Sequence, residues 1–207
     1  MSLFVLPLAK TESCKWLKIN YEHHYTRYNP VAAESSNIPP VKPFFLAVGR
    51  LEHERNFDRL IRAFHIYAKK SPDTNLVILG NGSLRSELLG LVLSLNLDDR
   101  VLLPGFTSNP YCFMKRCVAL VSCSEYEGLS NVLLEAIALN TRIVVTDNCS
   151  SSVELTKHFG DGIVCHNSEL SLATALVQSR NAKSPDYKTK TTTISDYADA
   201  ILNLFEV

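Results

Sequence analysis

Pro43-Phe-Phe-Leu-Ala-Val48-Gly49-Arg50 opens the part of the chain whose pattern decides the fold. Phe44–Val48 is an unbroken apolar run closed by a glycine, which suits a strand buried on both faces. Beyond a polar turn, Phe57, Leu60, Ile61, Phe64 and Ala68 recur at helical spacing and share one face. Asn56 stands where it can cap the first turn of that helix.

The same alternation continues along the chain. Leu76–Leu79 reads as a second buried strand, stopped by Gly80-Asn-Gly82, and Leu84, Leu88, Leu91 and Leu95 line a second helix. A short strand Val101–Leu103, a short helix Tyr111–Cys117 and a strand Val118–Ser122 follow. Then come a helix from about Ser130, a strand Arg142–Thr146, a helix Ser152–His158, a strand Gly162–Cys165 and a helix Glu169–Arg180. Apolar strands alternating with amphipathic helices predict an α/β domain: a parallel sheet of about six strands with helices on both faces. Such a sheet takes its ligands in the crevice beyond the carboxyl ends of its strands, so the loops that leave those ends are where chemistry is expected.

The flanks read differently. Residues 1–42 carry Tyr28-Asn-Pro-Val31 and Ser35-Ser-Asn-Ile-Pro-Pro40, the composition of connecting chain. Residues 183–207 are a polar stretch followed by Ile194, Tyr197, Ala198, Ile201, Leu204 and Phe205 at helical spacing. The expected division is therefore 1–42 leading segment, 43–182 α/β domain, 183–207 polar stretch and C-terminal helix. Lys and Arg balance Asp and Glu at 21 each, so no net field favours nucleic acid. The six cysteines show no C-x-x-C pair and no zinc-type spacing with the histidines, and several sit in apolar runs as small hydrophobes; a reducing cytoplasm fits best. Leu3–Ala9 is far shorter than the roughly 20 residues that span a bilayer.

Three loops could hold a ligand. Gly49-Arg50-Leu-Glu-His-Glu-Arg55-Asn56 offers two guanidinium groups, the second just ahead of a helix N-terminus, where free N–H groups attract anions. Two solvated surface arginines are the alternative reading. Gly80-Asn81-Gly82-Ser83 suits either close approach to a ligand or a plain tight turn. Ser124-Glu-Tyr-Glu127-Gly128-Leu129-Ser130-Asn131-Val-Leu-Leu-Glu135-Ala is the informative one. Its helix is apolar around most of its circumference, and Asn131 and Glu135 share the single polar stripe at i and i+4. A phosphate at that helix end would set an attached ribose about level with Glu135, since five residues rise roughly 7.5 Å. Glu135 either accepts from vicinal hydroxyls there or pairs with a nearby arginine.

These residues resemble the C-terminal, nucleotide-sugar-binding half of the family 4 retaining glycosyltransferases, which have two Rossmann-like domains (GT-B). The resemblance rests on Tyr28-Asn-Pro-Val31, Val48-Gly-Arg50-Leu with Arg55-Asn56, Leu79-Gly-Asn-Gly82-Ser, Arg100-Val with Gly105-Phe106, Glu127-Gly-Leu-Ser-Asn-Val-Leu-Leu-Glu135-Ala, and Thr146-Asp147 with Glu154-Leu155. It covers about residues 27–180. It implies that Arg50, Arg55 and Glu127 act at the reaction centre, the arginines on the donor diphosphate and Glu127 near the donor sugar; the family usually has lysine where Arg55 stands. Gly49, Gly82, Phe106, Gly128, Leu129, Ser130, Asn131 and Glu135 would bind nucleotide and sugar: Glu135 the ribose hydroxyls, the N–H groups of Leu129 and Ser130 the distal phosphate, the loop after Phe106 the base.

The resemblance further implies a UDP- or GDP-sugar donor, no metal or other cofactor, and a glycan or lipid-linked acceptor held by an N-terminal half. Residues 1–42 would be the last of that half plus the linker, and without it the chain should show no transfer. It also implies a peripheral membrane contact for the full-length enzyme, at the inner face of the membrane, and a role in bacterial surface polysaccharide or lipopolysaccharide assembly. A nucleotide-sugar 2-epimerase of similar fold and a non-catalytic nucleotide-binding module are the alternatives. The first needs a catalytic acid/base set that the sequence does not display; an upstream domain of roughly 150–200 residues would favour the transferase over both.

Overall fold

A computed structural model of the chain describes residues 42–183, Leu129 excepted, together with Pro185. Six strands form one wholly parallel sheet: β1 (Phe44–Val48), β2 (Asn75–Leu79), β3 (Val101–Gly105), β4 (Ala119–Ser122), β5 (Ile143–Thr146) and β6 (Ile163–Cys165). Among the described residues six helices connect or follow them: α1 (Phe57–Ala68), α2 (Arg85–Ser94), α3 (Tyr111–Met114), α4 (Asn131–Ala138), α5 (Ser150–Phe159) and α6 (Glu169–Asn181). The strand order is β3-β2-β1-β4-β5-β6. That order is wound in two directions from β1, and the reversal between β1 and β4 leaves a crevice at their carboxyl ends. No helix among the described residues is long and apolar enough to cross a membrane. The leading segment expected over 1–42 falls, but for Lys42, outside the described residues, as do the helix expected over Ile194–Phe205 and the N–H of Leu129.

The continuous apolar runs are explained by burial on both faces. Phe45, Ala47, Leu76, Ile78, Val121 and Val144 point into one core against α1, α2 and α6. Leu46, Leu120, Ile143 and Val145 are equally buried on the opposite side, with Leu133, Leu134 and Ile137 of α4 and Leu155 of α5. The aromatic centre of the first core is Phe45 edge-on to Tyr67 at 5.1 Å, with Phe64 stacked on Tyr67 at 5.7 Å. Tyr67 fills the place expected of Ala68, which is only partly buried. It can do so because its hydroxyl donates to Thr74 Oγ1 at 3.0 Å, which satisfies the one polar atom it carries inward.

Two further expectations are corrected. β3 runs on through Pro104 to Gly105, a continuation a proline permits because β3 is an edge strand. Asn56 precedes α1 but does not cap it with its side chain: its backbone is left-handed (φ 50°). Its Nδ2 instead donates to Cys123 O at 3.1 Å, tying the start of α1 to the end of β4.

Candidate functional site at the switch between β1 and β4

The loop leaving β1 and the loop leaving β4 face each other across the crevice. The β1 loop folds into a single turn of 3-10 helix, His53–Arg55, before α1. It is laced to the β2 loop: Leu51 N donates to Asn81 O at 2.9 Å, Leu84 N to Leu51 O at 3.0 Å, and Ser83 Oγ to Glu52 Oε2 at 2.6 Å. This lacing explains the two glycines of the β2 loop. A Cβ on Gly80, whose φ is +137°, would lie 1.8 Å from Gly49 O; one on Gly82 would lie 2.4 Å from Leu51 O. Gly82 is therefore demanded by backbone against backbone, the tight-turn reading of the sequence.

From that braced loop the two arginines part. Arg50 is 74% exposed and pairs with Glu54 at 3.0 Å. Arg55 turns inward across Gly49, where even an added Cβ would lie 3.5 Å from its Cδ and Nε, an ordinary contact. Its Nη1 donates to Ser124 Oγ at 3.1 Å and to the carboxylate of Glu127. Both partners of this ion pair are largely buried. Each also carries a buried atom with no partner among the described residues, Arg55 Nε and Glu127 Oε2. Buried orphans of this kind are accounted for by water, an ion or a ligand atom.

The β4 loop is held at three further points. Glu125 N donates to Glu54 O at 2.9 Å, Asn148 Nδ2 to Ser124 O at 3.2 Å, and Ser151 Oγ to Glu127 O at 2.7 Å. The loops after β1, β4 and β5 thus converge on Glu127. Past Gly128, whose surroundings are open, the chain enters α4 through buried Ser130 and exposed Asn131. Ser130 is extended (φ −80°, ψ 97°) and makes no side-chain cap. The first N–H groups of α4 are left to other acceptors.

Glu135 lies one turn into α4 on its half-buried side. Among the described residues no arginine meets it. Tyr111 Oη donates to its Oε1 at 3.4 Å, and burial pushes its carboxyl up to about 7, against the pull of that hydrogen bond. The ion-pair reading of Glu135 is thereby set aside. Phe106 is 76% exposed at the carboxyl end of β3, on the loop that leads to Tyr111.

Several residues of this region carry no motif that reading the sequence could use: Ser124, Asn148 and Ser151, which fix the β4 loop, and Tyr111. A tyrosine opening a short helix on a carboxyl-edge loop was the available signal for the last. Farther along the same edge, Asp147 accepts from Asn167 N at 2.9 Å and meets His166 Nδ1 at 2.9 Å, and the His166 contact holds its carboxyl below the usual carboxylate range. Among the described residues no group of three or more His, Cys, Asp or Glu side chains is arranged to hold a metal ion.

The family model for glycosyl transferases group 1 matches residues 30–181, most of the chain and every loop described above. The chain belongs to the group 1 glycosyltransferases. Over 118 residues it is 48% identical to the Campylobacter jejuni N-acetylgalactosamine-N,N'-diacetylbacillosaminyl-diphospho-undecaprenol 4-alpha-N-acetylgalactosaminyltransferase, covering 57% of this chain and 31% of that protein. The chain thus spans about a third of the length of the curated relatives it matches.

Among solved structures, its fold is similar to Staphylococcus aureus TarM in complex with UDP (TM-score 0.68, 20% identity, 83% of this chain and 38% of that one). It is similar as well to the C-terminal domain of the group 1 family glycosyl transferase LpcC from Francisella tularensis (TM-score 0.61, 21% identity, 81% and 88%). The parallel sheet with helices on both faces is thus the GT-B type, and the matched residues fit a C-terminal half.

Proposed function

We propose that this domain is the donor-binding half of a retaining, family 4 glycosyltransferase that takes its sugar from a nucleoside-diphosphate sugar. The observation that carries the reading is the meeting of Arg55 and Glu127 at the β1/β4 switch, beside the open N-terminus of α4. A diphosphate there finds a guanidinium suited to its oxygens and the unpaired N–H groups of a helix end. Arg50, exposed on the same loop, adds a second cation within reach of a flexible side chain. These groups would stabilise the charge that gathers on the departing diphosphate as the glycosidic bond breaks, and the reading assigns that work to them with no metal required.

The rest of the ligand follows in line. Glu135 takes the ribose hydroxyls, and the Tyr111 contact sets the loop after Phe106 beside that carboxylate, where the base edge belongs. Glu127, Gly128 and Ser130 adjoin the sugar. UDP is favoured over GDP because a similarly folded structure holds UDP. The acceptor, a glycan or lipid-linked sugar of a bacterial surface polysaccharide, is the province of an N-terminal half, at the inner face of the membrane. These residues alone should therefore bind donor without transferring it, since positioning donor against acceptor supplies about 7–11 kcal/mol of such a barrier.

Thermal shift tests the reading. UDP should raise the melting temperature with the logarithm of its concentration above Kd, GDP less, and uridine hardly at all. Equal shifts with uridine and UDP would remove the diphosphate site from the account.

A further inference from the structure

The hydrogen bond between Tyr111 and Glu135 joins two elements that the sequence separates by 24 residues. Tyr111 is the first residue of α3, a single turn that is pinned on every side. Pro110 fixes the entry to the turn, and Met114 is buried at its end. Phe113 packs edge-on against Phe44 at 6.2 Å, and Thr141 Oγ1 donates to Met114 O at 2.9 Å. So short a helix has little stability of its own, and these ties make it a rigid mount. What the mount presents to α4 is the phenol hydroxyl.

The 3.4 Å contact is long, and Glu135 retains acceptor capacity on a side that is not fully buried. Among the described residues its other surroundings offer no charge. β4 (Ala-Leu-Val-Ser) and β5 (Ile-Val-Val-Thr), the strands under α4, carry no ionisable side chain, and α4 itself carries none besides Glu135. From α3 come Tyr111 and Cys112 alone. Among the described residues the hydroxyl is thus the one donor that both aims this carboxylate and favours its ionised form.

We propose that Tyr111 is a positioning residue of the donor site, its hydroxyl holding Glu135 in the orientation and charge state that receive the ribose diol of the nucleotide. This rests on the assignment of Glu135 to the ribose under the proposed function. A diol donates both its hydrogens, so the ionised carboxylate is the binding form. Burial already brings its titration to about 7, and loss of the phenol hydrogen bond moves it higher. Near neutral pH the enzyme then depends on Tyr111 for a larger ionised fraction.

The test is calorimetric titration of UDP into the wild-type chain, Tyr111→Phe and Glu135→Gln between pH 6 and 9, with melting temperatures alongside. The ligand's own phosphate ionisation, near pH 6, is common to all three and cancels in the comparison. Tyr111→Phe keeps the ring and should melt as the wild type does at pH 6, where Glu135 is mostly protonated in both, and slightly below it at pH 9. At pH 7 it should bind UDP about three- to tenfold more weakly. Its affinity should still rise with pH, with a midpoint displaced upward, and approach wild type at pH 9; Glu135→Gln should lack that midpoint altogether. A Tyr111→Phe profile that matches wild type overturns the proposal. So does a weakening of equal size at every pH, which would place Tyr111 on the ligand or in the fold instead of behind Glu135. Wild-type affinity undiminished by Glu135→Gln, or no UDP binding at all, overturns the ribose assignment itself.

Discussion

The guanidinium of Arg55 and the carboxylate of Glu127, 72 residues apart in the chain, form a largely buried ion pair at the point where the sheet reverses its winding. Each serves as the other's counter-ion. Under the proposed function a diphosphate would compete with Glu127 for Arg55 and leave the carboxylate free to face the donor sugar.

Breaking this pair from one side should cost more than removing it whole. Arg55→Met leaves Glu127 partly buried without its cation, and should lower unfolding free energy by about 2–3 kcal/mol. Arg55→Met combined with Glu127→Leu should be less destabilised than the two single changes added together, by on the order of 1–2 kcal/mol. Urea denaturation of the four proteins measures this directly, and strictly additive losses would mean that the two side chains do not depend on each other.

Glu135 gives a pH dependence whose sign follows from its raised pKa. A carboxyl that titrates near 4.5 when unfolded and about 7 when folded binds its proton more tightly in the native state. Stability is therefore lost as pH rises from the lower value through the upper one, the reverse of a salt-bridged carboxylate. Glu135→Gln abolishes that loss. It should be close to neutral at pH 5 and stabilising by on the order of 2 kcal/mol at pH 8, while UDP binding falls. A variant less stable than wild type at pH 8 would show that the carboxylate is held by more than Tyr111.

Most of the sheet was legible in the sequence because a strand buried on both faces can only be written as a continuous apolar run, and Phe44–Val48 and Leu76–Leu79 are such runs. The crevice followed, since strand alternation fixes which loops leave the carboxyl ends. The Arg55–Glu127 contact was not legible: nothing local couples positions so far apart, and each side chain read alone suits solvent. Tyr111 was hidden for the same reason. Asn56 misled because an asparagine before a helix commonly caps it, whereas a left-handed backbone turned this side chain toward Cys123 instead.

That correction is testable. At a conventional N-cap, replacing Asn by Gly costs only a few tenths of a kcal/mol. Here Asn56→Gly loses the bond to Cys123 O while easing the left-handed backbone, and should cost about 1 kcal/mol. Asn56→Ala loses the bond and strains the backbone, so about 2 kcal/mol is expected. Equal costs for the two would argue against a left-handed Asn56.

The two glycines at 82 and 128 should behave oppositely. Gly82→Ala drives a Cβ to 2.4 Å from Leu51 O and should destabilise by at least about 2 kcal/mol, with UDP affinity lost only as the β1 loop is displaced. Gly128→Ala meets nothing within 4 Å and should melt like wild type, yet bind UDP more weakly because the added methyl stands at the mouth of α4. Melting curves and calorimetry on both variants separate the roles. A Gly128→Ala chain with unaltered UDP affinity would move the ligand away from that helix end.

The most direct measurement of the central claim is amide chemical-shift mapping of the full chain titrated with UDP and, separately, with uridine. UDP should perturb Gly49, Arg55, Ser124, Gly128, Asn131 and Glu135. Uridine at the same concentration should leave Gly49 and Arg55 nearly still, since it lacks the phosphates they answer to. A second polar cavity, of about 280 Å³, lies elsewhere on the domain among Lys115, Asn140 and Arg142, where β5 begins. UDP shifts gathered there, with the β1 and β4 loops unmoved, would contradict the assignment of the donor site.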